Sequence, residues 1–168
     1  MSAHIVFSNN DKIGSKIISW GSAKGIEKKL IPSHFSLCFK STYVVESRLT
    51  SGVHANEWEN FKSKNNIVAI FDVTEEIEAK YGKWYIYYQH IYKKILNKSY
   101  DWKALLYLAF YQARWKFFGK AIPENNKKNN PDKYFCVEVF EELFGENLSM
   151  YSPYSLMVKC RGRFKRLL

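Results

Sequence analysis

Cysteine is scarce in this chain and badly placed for cross-linking. Cys38, Cys136 and Cys160 are an odd number with no repeated short spacing, which argues against both a disulfide framework and a zinc motif, and fits reducing surroundings. His4, His54 and His90 share no ligand spacing with one another or with the cysteines, so they read as surface or local structure and no metal centre is expected. A glycine-rich phosphate loop and a paired-carboxylate hydrolase motif are both missing. No apolar run has the roughly 20 residues needed to cross a bilayer. The opening MSAHIVFSNNDKIGSK lacks the charged-then-apolar order of a secretory signal, so the expectation is a soluble protein, cytoplasmic or virion-associated. Arginine is rare too, with 26 Lys plus Arg of which only residues 48, 114, 161, 163 and 166 are Arg. Lysine-heavy charge suits solvated surface better than bidentate reading of phosphates or bases.

What is present is a core. Aromatics make up 17% of 168 residues and hydrophobic residues 46%, a composition that disordered chains do not have, at the length of one domain. The net charge is +10. Lys159, Arg161, Arg163, Lys165 and Arg166 crowd the last ten residues, so residues 1–158 read as a single domain and 159–168 as a basic tail. Such a tail can touch an anionic membrane or nucleic acid, or simply remain solvated.

Periodicity predicts the following elements. A short strand covers Ile5 to Ser8, and a helix follows from Lys12 to Trp20 with Ile13, Ile17 and Trp20 on one face. HFSLCF from His34 and YVVESRL from Tyr43 form a hairpin. NIVAIFDV from Asn66 is a buried strand, and the Thr74-Glu75-Glu76 start signal opens one helix to about Leu96. Asp101 caps a second helix that is apolar nearly all round and stops at Gly119. Its Trp102, Tyr107, Phe110, Tyr111 and Trp115 read as core and groove wall. The polar stretch GKAIPENNKKNNPDK is a long loop and a lid candidate. YFCVEVFEELFG puts Cys136, Val139, Phe140 and Leu143 on a helical stripe that ends at Gly145. YSLMVKCRGRF reads as a last strand running into the tail.

Three residues in this pattern can carry chemistry, each with a plain alternative. Cys136 is either buried core or a nucleophile, and a helix beginning near Lys133 would place its thiol at the positive end of the dipole, whereas a start at Asn130 with Pro131 in the first turn would not. His34 opens a strand, where an imidazole can face a cleft. Glu46 lies within a β-rich run, where a buried carboxylate requires a partner: the imidazole, or a cation such as Arg48 or Lys40. Hairpin register separates the possibilities. A two-residue Ser41-Thr42 loop puts Glu46 on the opposite face from His34. A three-residue loop, Lys40 to Thr42, pairs Phe39 with Tyr43 and Ser36 with Glu46, leaving His34 diagonal to the carboxylate.

SHFSLCF around His34, YVVESRLTSGV around Glu46, KSYDWKALLYL, and YFCVEVFEELF around Cys136 together resemble the circularly permuted, NlpC-like branch of the papain fold, which includes YiiX-like proteins and lecithin retinol acyltransferase-like enzymes. The resemblance covers roughly residues 3 to 158. It departs at Val137, where the family often has Ser. It implies an α+β papain-like fold with a small antiparallel sheet packed on helices, one of which carries Cys136. It also implies a cysteine hydrolase in which Cys136 is the nucleophile, His34 the base and Glu46 the orienting residue. Tyr134 is a candidate for supporting the oxyanion end. No cofactor is implied, and the substrate would be a peptide, another amide or an acyl ester. The competing expectation is a non-catalytic binding or virion structural protein of the same fold that uses its basic, aromatic surface.

Overall fold

The computed structural model describes all residues except 1, 11, 12, 23, 24, 28, 29, 128, 129, 131, 135, 139 and 140. The architecture is α+β. One six-stranded sheet is built from β1 (Ala3–Asn9), β2 (His34–Phe39), β3 (Tyr43–Arg48), β4 (Gly52–Glu57), β5 (Asn66–Asp72) and, late in the chain, β8 (Lys165–Arg166). The order across it is β4-β3-β2-β1-β5-β8, and every neighbouring pair is antiparallel. The helices are α1 (Ile13–Ser22), α2 (Trp58–Lys64), α3 (Thr74–Tyr81), α4 (Trp84–Lys94), α5 (Trp102–Phe118), α6 (Glu141–Phe144) and α7 (Pro153–Arg161). A two-residue parallel ladder joins β6 (Ser99–Tyr100) to β7 (Lys133–Tyr134).

Alternation along the strands divides the buried side chains between two faces. Ala3, Ile5 and Phe7, with Phe35, Leu37 and Phe39 beside them, point into the main core, where Ile77, Tyr87, Ile91, Ala104, Leu108 and Leu156 meet them. The intervening residues Val6, Cys38 and Val44 form a smaller cluster roofed by Phe61 and Trp58 of α2. Full burial of one such aliphatic or aromatic side chain contributes about 1.5–3 kcal/mol, so the larger cluster dominates stability. The smaller one fixes α2 over the sheet.

Several expectations are corrected. The helix expected from Glu75 to Leu96 is two helices, because Gly82 adopts φ 80° and its N–H closes α3 on the Glu78 carbonyl. β4 and α2 were not foreseen: GVHANE alternates too weakly to announce a strand. YSLMVKC is helix α7, not a strand. Ser152 caps it by accepting from Ser155 N–H while the Ser155 hydroxyl accepts from Ser152 N–H, and Pro153 sits in its first turn, where a missing N–H costs nothing. The basic stretch then joins the sheet through β8, Cys160 is fully buried, and Lys159 pairs with Glu146 at 2.8 Å. In the polar loop after α5, Asn126 is buried and donates to the carbonyls of Ala104 and Ser149, so this part is pinned to the core. Trp102, Phe110 and Trp115 are exposed rather than core, because α5 buries Ala104, Leu108 and Gln112 instead. Tyr107 and Tyr111 pack partly against the core. Helix α1 forms where expected, while the side chains of Ile13 and Ile17 lie outside the described residues.

The β3–β4 turn makes one close approach. Gly52 has φ 65°, and a Cβ there would lie 2.2 Å from the Lys98 carbonyl oxygen, beside the hydrogen bonds that tie Val53 to residues 97 and 98. Gly119 has a similar φ of 64° with nothing within 4 Å. Gly119→Ala is therefore expected to cost about 1–2 kcal/mol from backbone strain alone, and Gly52→Ala clearly more. Equal losses in thermal unfolding of the two variants would contradict this packing.

Candidate active site

The hairpin between β2 and β3 turns through Lys40, Ser41 and Thr42, with φ of 56° at Lys40 and 52° at Ser41. Phe39 pairs with Tyr43 and Ser36 with Glu46. This is the odd-length register, and it places Glu46 on the same face as His34. Glu46 has no exposed surface, yet its carboxylate is fully surrounded by donors. His34 Nε2 lies 2.8 Å from Oε2, Arg48 Nη2 2.8 Å from Oε1, and His54 Nε2 3.5 Å from Oε1, while Asn56 Nδ2 donates to Oε1 at 3.4 Å. Both partners weighed from the sequence, imidazole and Arg48, are thus engaged together.

With Nε2 turned to Glu46, the other ring nitrogen of His34 is the one left for a second partner, and the Cys136 thiol is close enough to the imidazole to act on it. The Phe61 ring of α2 lies under His34 at 6.4 Å between centroids, and the imidazole keeps 15% exposure, so the site opens to solvent on one side. Burial on its own would lower the His34 pKa; hydrogen bonds with Cys136 and Glu46 and their charges outweigh it and raise it to about 9. Burial likewise opposes ionisation of Glu46, but its hydrogen bonds to His34 and His54, the charge of His34 and the bond to Arg48 hold its pKa far below the usual carboxylate range.

Cys136 is not on a helix. It is buried in a turn between β7 and α6. The expected stripe partners Val139 and Phe140 lie outside the described residues, as do Pro131, proposed for an early helix start, and the Leu143 side chain. The reason is visible upstream. Tyr134 is held extended by its pairing with Tyr100, and its carbonyl accepts from the Ser47 hydroxyl at 2.7 Å and from Asp101 N–H at 3.2 Å. A helix starting before residue 135 would break all three. Tyr134 therefore supports the site through its backbone. Asp101, read as an N-cap, caps α5 at Ala104 N–H through Oδ1 and also accepts from Asn130 N–H through Oδ2, which anchors the approach to Cys136.

Comparisons with protein-family models, curated proteins and solved structures find no match to this chain.

Sequence reasoning missed two neighbours of the site. His54, taken as local surface, faces Glu46 directly across β3 and β4. Its pKa is raised mainly by the Glu46 hydrogen bond, against burial. The signal was a second three-residue turn, Leu49 to Ser51, with Gly52 after it. Tyr100 lies near Cys136, and burial first, then the charges of Cys136, Glu138 and Asp101, push its phenol well above the usual value, so it remains a neutral hydroxyl. Among the described residues no group of His, Cys, Asp and Glu could hold a metal ion, and no helix is long and apolar enough to cross a membrane.

The His34–Glu46 pair has a pH signature. The raised His34 pKa adds stability that is complete below its ordinary 6.5 and is lost as pH climbs through about 9. The depressed Glu46 pKa adds stability that is complete above its ordinary 4.5 and is lost as pH falls. Unfolding of Glu46→Gln against the parent should show the largest gap between these limits, on the order of 3 kcal/mol for a broken buried pair. The gap should shrink towards pH 9 without vanishing, since Arg48 keeps its charge. A gap that is constant across this range would show that the two groups do not interact.

Proposed function

We propose that this chain is a thiol-dependent hydrolase or acyltransferase of the permuted NlpC-like papain type, working through a Cys136–His34–Glu46 triad. One observation carries the reading: a single imidazole bonds a fully buried carboxylate at 2.8 Å and is acted on by the thiol of Cys136 beside it. Buried thiols are common, but a buried carboxylate aimed at one edge of a histidine whose other edge meets sulfur is the arrangement that nucleophilic thiol catalysis needs. Support for the fold comes from the antiparallel sheet packed on helices and from chain order, with the histidine strand first, the glutamate strand next, then Tyr100-Asp101, and the cysteine last.

In this reading the imidazole takes the Cys136 proton, and Glu46 steadies the resulting imidazolium and fixes the ring. The thiolate adds to the carbonyl carbon of an amide, thioester or ester. As the tetrahedral adduct collapses, the imidazolium gives its proton to the leaving nitrogen, sulfur or oxygen. Water or another acceptor, deprotonated by His34, then attacks the acyl–sulfur bond and restores the thiol. Arg48 and His54 hold Glu46 from the side away from His34, which keeps the carboxylate ionised and its second oxygen occupied.

Alkylation tests this directly. Near pH 6 an ordinary thiol of pKa about 8.5 is ionised to roughly 0.3%. Cys38 and Cys160 are more silent still, since burial pushes them up to about 11 and about 12. Iodoacetamide at pH 6, followed by peptide mapping, should label Cys136 at least tenfold faster than either, and His34→Ala should abolish that preference. Equal rates at the three cysteines, or a Cys136 rate indifferent to His34→Ala, would favour a non-catalytic binding protein.

A further inference from the structure

Helix α5 is apolar on two opposite sides, and the fold uses only one of them. Ala104, Leu108 and Gln112 are buried. Trp102, Leu106, Phe110 and Phe117 are 48%, 60%, 57% and 66% exposed. At about 100° per residue these four fall within roughly 80° of one another, opposite the buried side. Trp20 of α1 extends the strip, with its ring 5.6 Å from Phe117, and Phe118 continues it at the C-terminal end, 73% exposed. An apolar surface of this size on one face marks a docking site.

Charge identifies the occupant. Helix α5 carries Lys103, Arg114 and Lys116 and no acidic residue. On the helical wheel Lys103 and Arg114 lie along one border of the strip and Lys116 along the other. Arg114 lies over the Phe110 and Tyr111 rings, and Lys116 over Trp20, 4.3 Å from its centroid. Aromatic and leucine side chains bordered by cations match a lipid interface, where rings sink to the acyl boundary while ammonium and guanidinium groups stay with the phosphates. A second copy fits worse, because a two-fold contact through this strip would bring the same cations together with no carboxylate on the helix to receive them.

We infer that the exposed face of α5, from Trp102 to Phe118, docks this protein onto an anionic lipid bilayer. The inference does not depend on the proposed chemistry, although the two meet at Trp102. That residue begins the strip and also lines a cleft of about 440 Å³ with Leu49, Lys98, Tyr100 and Lys133.

The test is co-sedimentation of the full chain with vesicles of phosphatidylcholine alone or with 30% phosphatidylserine, at physiological salt. The expected result is at least tenfold tighter binding to the anionic vesicles. Leu106→Ser/Phe110→Ser/Phe117→Ser should remove binding to both, and Lys103→Glu/Arg114→Glu should remove only the preference for anionic lipid. All three side chains of the triple variant are exposed, and an unchanged unfolding midpoint keeps its result readable. The inference is overturned if the parent fails to bind anionic vesicles. It is equally overturned if the triple variant binds like the parent while Arg161→Ala/Arg166→Ala does not, which would assign binding to the basic C-terminal stretch. A concentration-dependent dimer dissolved by the triple variant, without vesicle binding, would give the strip to a second copy.

Discussion

A carboxylate with no exposed surface in the middle of a β-sheet is tolerable only when every lone pair meets a donor, and Glu46 imposes that condition on its surroundings. It draws His34 from the preceding strand, Arg48 from two residues along its own, and His54 and Asn56 from the next. Removing any one donor would weaken the compensation of a negative charge in low dielectric, so the four are energetically coupled and do not act as independent contacts. The consequence is an imidazole whose position is set by the pairing of strands around the carboxylate. Both sides of the hairpin serve this end: the three-residue turn at Lys40 to Thr42 sets the parity, and the turn at Leu49 to Ser51 brings His54 across.

The sulfur reaches this site by a different route. Cys136 follows Glu46 by ninety residues in sequence, and what delivers it is a set of short backbone ties: β6 to β7, the Ser47 hydroxyl to the Tyr134 carbonyl, and the Asp101 carboxylate to Asn130 N–H. Ser47 is adjacent to Glu46, so one strand holds the buried carboxylate with one residue and the approach to Cys136 with the next. Side chains alternate across a strand, which allows neighbouring residues to face two different parts of the same site. Asp101 connects the same approach to the start of α5, and hence to the helix whose outer face carries the exposed aromatic strip.

Much of this was legible from residues alone, and the misses share a cause. Strands β1, β2, β3 and β5 and helix α5 announced themselves because each has a strong, unbroken period or a clear cap. Strand β4 has only Gly52, Val53 and a mixed polar remainder, and is held by pairing on β3 rather than by its own pattern. The residues of α7 are equally at home in a strand by composition, and the helix signal is confined to the Ser152-Pro153 start. The break at Gly82 was a single glycine within an otherwise helical run, where a positive φ depends on how α3 and α4 pack. At α5 the all-round apolar pattern led to a buried reading, yet a helix at the edge of the core can bury only one side.

Local pattern by itself determined that a hairpin exists and that an odd turn would be needed to put His34 and Glu46 together. Those are properties of period and parity, and they are written in neighbouring residues. Only tertiary structure decided that the odd turn forms, that His54 joins the carboxylate, and that Cys136 arrives in a turn instead of on a helix. Each of these depends on pairing between strands or loops, where satisfying the buried Glu46 carboxylate and the Tyr134 carbonyl with donors outweighs the local preference of the residues involved.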